Sequence, residues 1–383
     1  MRGVNDLEIR MPAQRLITFW ALLLSASILA IGCSPELHIT KTGLTTTERF
    51  NETSDRLYVV SMFVETRRGH KNELVTLDPE SYETINRSDL VYGTLVFKFS
   101  QDPQGRIWTG YSGTPENYNT KRVDIFDHNG SHVKTLEPCS WPDKEITFAA
   151  GWAFIPCYLN GFHARMVVVD LSSLEIVKTI ELEAEPRFSL LAAAATEETV
   201  LVAGGSDTHG TLVMIDPHSM EISQTIDVYG GISVRTIVVH DGLFYMLNRG
   251  SHRSPENPLD LHIVTPGDSP TVTSHQLAAR SPVFGFIEGD QLWAYHDPAI
   301  SGDSGSRAIS RYDLLTGETE LWPLPDYWWA GDMAWIDGKI ILTRRHSLNP
   351  DETDGLYEFN PETGELIQWL ELEGAQLLLV PDE

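Results

Sequence analysis

The sequence has little cysteine and few basic residues for its size. Only 3 of its 383 residues are cysteines, which excludes the small secreted folds that several disulfides hold together. Lysine and arginine together number 28 against 54 aspartates and glutamates, so the formal net charge is −26. A chain this acidic repels nucleic-acid phosphates unless a strong basic patch opposes it. We therefore expect no nucleic-acid partner.

An uncharged apolar segment near the N-terminus is too short for a comfortable membrane span. It covers Leu16–Ile31, 16 residues, whereas a spanning helix needs about 20. It follows Arg15 and ends in small residues before Cys33, which is the arrangement of a secretory signal peptide. Residues 1–10 contain two acids that suit a signal peptide poorly, so Met11 is our candidate for the true first residue.

Residues Ala30–Cys33 resemble the lipobox of bacterial lipoproteins, although such boxes more often carry leucine where Ala30 stands. The resemblance implies a signal peptide over 1–32, a lipid on Cys33 and a tether over 33–56. It places the protein in the cell envelope, lipid-anchored and extracytoplasmic. Because Ser34 rather than Asp follows the cysteine, the outer membrane or the periplasmic side is favoured if the host has two membranes. A plain secretory signal or a short uncleaved anchor is the alternative.

One short apolar pattern recurs seven times after the tether. The first and fourth positions are apolar in every copy, and Asp or Asn, which initiate tight turns, ends six of the seven copies. The ends of successive copies are 43 to 49 residues apart. The copies are LVTLD (74–78), VDIFD (123–127), MVVVD (166–170), LVMID (212–216), LHIVT (261–265), ISRYD (309–313) and LYEFN (356–360).

Each copy belongs to a larger unit of four strands. A strand-like return follows every copy, and two further strand-like runs precede every copy from the second onward. Four short antiparallel strands in fewer than 50 residues are the signature of a propeller blade. The first unit lacks an innermost strand, because Leu57–Phe63 is its second strand, and Ala375–Glu383 has the innermost pattern. The sequence therefore predicts an all-β, seven-bladed propeller over 57–383 that closes by pairing its C-terminal strand into the first blade.

The repeat resembles the seven-bladed propellers of the YVTN and quinoprotein-like superfamily. It lacks the Gly-His and Trp-Asp marks of WD40 blades and the double glycine of kelch blades. The resemblance implies the fold and hardly any activity, because one scaffold carries many functions.

Motifs of metal and nucleotide chemistry are missing from the sequence. It contains no HExxH, CxxC, Walker loop or GxGxxG. The sequence therefore indicates no catalytic residue, no metal and no cofactor. Cys139 and Cys157 are the thiols that remain beside the lipid attachment site, and in an oxidising compartment they either pair as a disulfide or stay as separate buried cysteines.

Position within the blade selects candidate ligand-binding residues. Function on a rigid ring is usually carried by its loops, here those between second and third strands together with the linkers between blades. Flat aromatic side chains beside arginine could hold a sugar ring or an anionic molecule. The candidates are Arg67, Arg249 and Arg344 in the loops, and Tyr92, Trp141, Arg187, Arg235, Arg280, Trp328, Trp329 and Asp332 in the linkers and innermost strands.

These features favour a lipid-anchored binding or scaffold module. We expect a monomer that reaches the membrane through its lipid and binds a protein, a glycan or a small anionic ligand. The alternative is a propeller enzyme of the lyase, cyclotransferase or quinoprotein type, with its site at the mouth of the central channel. Such an enzyme should bring His, Glu or Asp side chains together near the axis.

Overall fold

The computed structural model describes most of the repeat region. The described residues are 40–41, 57–66, 69–78, 81–91, 95–112, 122–139, 142, 145–159, 163–182, 189–205, 209–229, 233–249, 260–298, 306–325, 328–344, 353–373 and 375–379. The predicted signal peptide and Cys33 lie outside them. No helix within these ranges is long and apolar enough to cross a membrane.

The described residues form 29 β-strands. The first group is β1 (Thr40–Lys41), β2 (Leu57–Thr66), β3 (Gly69–Leu77), β4 (Thr84–Asp89), β5 (Leu95–Gln101), β6 (Ile107–Ser112), β7 (Val123–Phe126) and β8 (His132–Leu136). The second group is β9 (Thr147–Ala149), β10 (Trp152–Leu159), β11 (His163–Asp170), β12 (Glu175–Leu182), β13 (Ser189–Ala195), β14 (Val200–Gly205), β15 (His209–Asp216) and β16 (Glu221–Tyr229). The third group is β17 (Val234–His240), β18 (Leu243–Asn248), β19 (Leu261–Thr265), β20 (Thr271–His275), β21 (Pro282–Glu288), β22 (Gln291–His296), β23 (Ala308–Asp313) and β24 (Thr319–Pro323). The last group is β25 (Ala330–Ile336), β26 (Lys339–Arg344), β27 (Gly355–Asn360), β28 (Glu365–Glu371) and β29 (Ala375–Leu379).

These strands build seven four-stranded antiparallel blades. Blades two to seven each use four consecutive strands, beginning with β5, β9, β13, β17, β21 and β25. Blade one has the order β29–β2–β3–β4, so its innermost strand comes from the other end of the chain. The short β1 runs parallel to β28 at the outer edge of blade seven. The predicted fold class is confirmed.

The hydrophobic core lies between neighbouring blades. Every pair of neighbours shares one cluster of buried side chains, as Trp108 of blade two does with Ile155 of blade three. Blade seven meets blade one in the same way, through Ile341 and Val59. The middle strands are therefore buried on both faces, and β14 is buried along its whole length. Outermost strands such as β4 alternate between exposed and half-buried residues instead.

Ring closure is made by β29. It lies antiparallel to β2, with Tyr58 opposite Leu379 and Val59 opposite Leu378. Asp332 of β25 reinforces the closure, because its carboxylate accepts a hydrogen bond from the backbone N–H of Leu378 at 3.2 Å. The predicted pairing of the C-terminal strand into the first blade is confirmed.

The Asp and Asn residues that end the repeated pattern cap the turns between third and fourth strands. Oδ1 of Asp313 accepts hydrogen bonds from the N–H groups of Leu315 and Thr316 at 2.9 and 2.7 Å. These turns also join neighbouring blades, since Nε2 of Gln224 in blade four donates to the carbonyl of Gly267 in blade five at 2.8 Å. Equivalent caps are Asp78, Asp127, Asp170, Asp216 and Asn360.

Cys139 and Cys157 are joined in a disulfide, with their Cα atoms 6.1 Å apart. Cys139 follows the outermost strand of blade two, and Cys157 lies in the second strand of blade three. The bond therefore fixes the linker between these two blades to blade three. Of the two alternatives that the sequence leaves open, the structure has the bonded one.

Candidate functional site

The innermost strands begin irregularly. Their register against the second strands shifts close to the start of the strand in blades one, two, four, five, six and seven. A β-bulge of this kind contains residues that the partner strand does not match, and it re-aims a side chain. The unmatched residues include Arg235 in blade five and Asp332 in blade seven. Two predicted ligand-binding residues thus occupy equivalent irregular positions on the inner wall of the ring.

The same end of the ring carries the loops between second and third strands. The start of each innermost strand opposes the end of a second strand, as Val234 opposes Asn248 and Pro282 opposes His296. Linkers, bulges and these loops therefore share one face, which we call the loop face. In blades five to seven its described residues are 233–235, 248–249, 260, 280–282, 296–298, 306–307, 328–332, 344 and 353–354.

Two buried histidines in blades five and six are held in the neutral form. Nδ1 of His296 donates to the carbonyl of Arg280 at 3.0 Å, and its Nε2 accepts from the hydroxyl of Ser310 at 2.7 Å. His262 is bonded at both nitrogens as well, to Asn248 at 3.1 Å and to Ser274 at 2.8 Å. Burial lowers the pKa of both histidines to about 4. Neither ring has a nitrogen left for proton transfer or for a metal.

Trp329 is a large apolar side chain that is exposed on the described part of the loop face. It is 44% exposed, and the guanidinium of Arg307 lies over its ring, 5.0 Å from the centroid. Arg307 is itself buried, and its Nε lies 3.3 Å from Oδ1 of Asp297. Because Asp297 and Arg307 flank the loop of blade six, this loop base and the Trp329 linker meet at one place.

Tyr295 fixes the backbone on both sides of Trp329. Its hydroxyl donates to the carbonyl of Trp328 and accepts from the N–H of Ala330, each at 3.3 Å. The ring is buried and stacks on Phe284, with centroids 4.8 Å apart. Burial, reinforced by the charge of Asp297, raises the pKa of Tyr295 above its ordinary value, so the hydroxyl keeps its proton. The linker therefore holds Trp329 in one orientation.

Trp328 and Arg344, both predicted to bind ligand, lie in the interior. Each is 0% exposed. The Arg344 guanidinium lies 4.6 Å from the ring centroid of Trp328 and 5.7 Å from that of Tyr357. A ligand on the surface would have to displace the linker to reach them. Both therefore belong to the packed interior and not to the exposed part of the loop face.

The other predicted residues divide into three groups. Arg280 is exposed, whereas Arg235 and Arg249 are half-buried. Asp332 takes part in the ring closure through Leu378. Outside the described residues lie Arg67, Tyr92, Trp141 and Arg187, together with Cys33.

Sequence reasoning missed three residues that build the site. Asp297 and Arg307 border the loop of blade six, so their position in the repeat could have indicated them. Tyr295 stands inside a strand among other aromatic residues, and nothing in its sequence context separates it from core residues.

A second polar cluster in blade two is structural. Oδ2 of Asp124 accepts from the hydroxyl of Tyr111 at 2.9 Å, and Oδ1 accepts from Thr135 at 2.6 Å. Nε of Arg122 donates to the same carboxylate at 2.8 Å. Burial and the adjacent carboxylate raise the pKa of Tyr111. The carboxylate is thus occupied by its own blade and ties three strands together.

Metal ligands are not grouped in the part of the chain that the structure describes. No set of three or more His, Cys, Asp or Glu side chains there is arranged to hold an ion.

The fold is similar to several solved structures. A functionally unknown protein from Desulfotomaculum acetoxidans gives a TM-score of 0.56 at 12% identity, over 86% of this chain and 100% of that one. The dihydro-heme d1 dehydrogenase NirN gives 0.55 at 13% identity, over 88% and 77%. The β-propeller domain of the trilobed protease from Pyrococcus furiosus gives 0.52 at 11% identity, over 84% and 98%. No family model and no curated protein matches the sequence. At such low identity the similarity shows the fold alone.

Proposed function

We propose that the protein is a lipid-anchored, extracytoplasmic binding module whose ligand meets the loop face. The observation that carries the proposal is the exposed indole of Trp329, which Arg307 backs and Tyr295 fixes. A tryptophan held outward in one orientation contributes little to packing. It offers a ligand a rigid amphipathic surface, and little conformational entropy is lost when the ligand binds.

The cellular address rests on two features of the chain. The segment Ala30–Cys33 resembles a lipobox, and the Cys139–Cys157 disulfide suits an oxidising compartment outside the cytoplasm. The strand repeat further supports placement in the YVTN and quinoprotein-like superfamily.

Binding is favoured over catalysis by the state of the titratable groups. An enzyme at the inner wall would need a free acid or base there. On the described inner wall, Asp332 accepts from the N–H of Leu378. The buried histidines of the adjoining second and third strands, His296 and His262, are bonded at both ring nitrogens. A stoichiometric metal in the purified protein would reverse this preference.

Photo-crosslinking in cells tests the binding face without knowledge of the ligand. Benzoylphenylalanine replaces Trp329 in one variant and Leu315, an exposed residue of the opposite turns, in the control. We expect an adduct of increased mass from position 329 alone. An adduct from position 315 alone would show that the opposite face binds.

Fatty-acid labelling tests the anchor. Cys33→Ser should abolish labelling with radioactive palmitate and move the protein into the soluble fraction. Labelling that persists in Cys33→Ser would rule out this cysteine as the lipid site.

A further inference from the structure

We infer that the outer rim of blades one to three rests on a lipid bilayer. The contact is made by exposed apolar residues at the starts of the outermost strands, which we call the rim band: Ile85 in blade one, Val133 in blade two, and Ile176 and Val177 in blade three. The inference rests on the proposed function, because it states which side of the anchored ring faces the membrane.

A β-bulge exposes one apolar residue of the rim band in each of the three blades. Thr84 and Asn86 have partners on β3, whereas Ile85 between them has none. Val133 and Val177 are left unmatched at the same place in β8 and β12. These three side chains are between 42% and 49% exposed. Aliphatic groups gain free energy when they leave water, so the rim band favours an apolar partner.

Side-chain contacts carry the rim band from one blade to the next. Nδ2 of Asn86, next to Ile85, donates to the carbonyl of Asn129 in the turn before β8 at 2.9 Å. Nζ of Lys134, next to Val133, lies 2.6 Å from Oε1 of Glu175, the first residue of β12. The apolar residues of neighbouring blades therefore flank these contacts and form one band.

The charge of the outermost strands separates blades one to three from the others. These strands carry three basic and three acidic residues in blades one to three, but five acidic and no basic residues in blades four to seven. Arg87 balances Glu73 in this way, with Nη1 and Oε2 3.0 Å apart. Because the chain has a net charge of −26, an anionic membrane repels most of its surface. The neutral rim band is a side that can approach it.

The bulges also favour a bilayer over a protein that adds a strand. A bulge disrupts the regular backbone pattern that a further strand would need, and it is one of the devices that protect sheet edges from pairing. A bilayer needs no backbone pairing. The exposed edges of blades one to three therefore suit a lipid surface.

The N-terminal tether reaches the ring beside the rim band. Strand β1 pairs with β28 at the outer edge of blade seven, with Thr40 opposite Ile367. Blade seven is the neighbour of blade one, and Ile367 is the third residue of its outermost strand, as Val177 is in blade three. Cys33 precedes Thr40 by seven residues, which span at most about 25 Å. The proposed lipid therefore keeps the membrane close to this side of the ring.

The rim band lies away from the loop face. Each third strand begins at a loop of that face and ends at the turn that leads into the outermost strand. The start of the outermost strand therefore belongs to the opposite side of the ring. A ring that rests on the rim band turns Trp329 toward the aqueous side, where a ligand reaches it.

Fluorescence quenching in proteoliposomes tests the inference. The full chain is reconstituted into vesicles of phosphatidylcholine and phosphatidylglycerol, with or without doxyl-labelled phosphatidylcholine as a quencher within the bilayer. A cysteine that carries the dye NBD replaces Val133 or Val177. The matched control is Leu321→Cys, because Leu321 is the third residue of the outermost strand of blade six and is 43% exposed. The disulfide protects Cys139 and Cys157 from the dye, and the unaltered protein gives the background from Cys33.

We expect the doxyl lipid to quench the dye at positions 133 and 177 at least threefold more than at position 321. Aqueous iodide should quench in the opposite order, and a dye at position 329 should behave like the control. A dye at position 85 should lose at least threefold of its quenching by lipid when Val133→Glu is combined with Val177→Glu. Leu321→Glu should leave the quenching at position 85 unchanged.

Two results would overturn the inference. Equal quenching by lipid at positions 133, 177 and 321 would show that the membrane does not select the rim band. Protection from iodide without quenching by lipid would show that a protein covers it.

Fatty-acid labelling of Cys33 separates a failure of the inference from a failure of the proposed anchor. Labelled protein without quenching at the rim band would overturn the inference and leave the anchor intact. Quenching at the rim band without fatty-acid labelling would support the inference and refute the anchor, and the absence of both would refute both.

Discussion

The arginines in and beneath the loop face have different roles because their burial differs. Arg280 is exposed at the loop face, Arg307 is buried beneath an exposed ring, and Arg344 is buried beside the rings of Trp328 and Tyr357. Burying a guanidinium costs free energy unless the surrounding groups compensate it, and here the faces of aromatic rings do so. Such a group therefore marks a position where the structure is fixed. Arg307 and Arg344 thus mark the positions of Trp329 and Trp328 as fixed parts of the structure.

Acid should remove the stabilisation given by the turn caps, and Asp313 provides the test. The N–H of Thr316 and the amide of Gln291 bind its carboxylate and lower its pKa to about 2. Because the unfolded pKa is about 3.9, this contribution is complete above that value and is lost as the pH falls through about 2. Asp313→Ala should therefore melt at a lower temperature than the unaltered protein at pH 7, by a margin that shrinks toward pH 2.

Melting curves between pH 7 and pH 2 measure this margin. Asp313→Asn is the control, because Asn360 performs the same capping without a charge. It should keep most of the stability at pH 7. A margin for Asp313→Ala that is the same at every pH would show that the charge contributes nothing.

The linkers between blades differ in the interactions that hold them in place. The linker before blade seven is held by hydrogen bonds to Tyr295, whereas the linker before blade three is fixed covalently through Cys139. Its innermost strand β9 has only three residues. The disulfide therefore supplements the shortest innermost strand of the described ring.

Removal of the disulfide should destabilise the ring measurably. The cysteines are 18 residues apart, and a cross-link that closes a loop of this size contributes about 3 kcal/mol in the chain-entropy model. Cys139→Ser combined with Cys157→Ser should lower the free energy of unfolding by about that amount in urea titrations. Reduction of the unaltered protein should have the same effect, and an unchanged midpoint in both cases would contradict the expectation.

At the scale of the whole molecule, stability depends on closure. Each blade buries its two faces against neighbours, and the cluster between blades seven and one forms only if β29 joins the two ends. An unpaired β2 would expose a row of backbone groups on the inner wall.

Deletion of residues 375–383 should therefore abolish cooperative unfolding. It removes Leu377 and Leu378 from the core and the backbone partner of Asp332. Calorimetry should show a broad transition at lower temperature, with increased dye binding to exposed apolar surface. Deletion of residues 381–383, which lie beyond β29, is the control and should leave the melting temperature unchanged. A single sharp transition in the longer deletion would mean that the ring holds without its C-terminal strand.

The sequence by itself determined the architecture. Apolar residues at the first and fourth positions of each copy, with a turn-initiating Asp or Asn at a nearly constant spacing, are local properties, and they indicated the repeated strand around which each blade is built. The sequence also determined the closure. The first unit lacks an innermost strand and the C-terminus has a surplus strand, so only their pairing completes blade one.

Tertiary structure alone decided which candidate residues face a ligand. Trp328 and Trp329 are adjacent in the sequence, yet one is 0% and the other 44% exposed, because Tyr295 and Arg344 from different strands orient the linker. Asp332 points to the closing strand rather than to an open channel. Such outcomes depend on contacts between residues 16 to 46 positions apart, and no local pattern in the sequence encodes which side of a linker those contacts will bury.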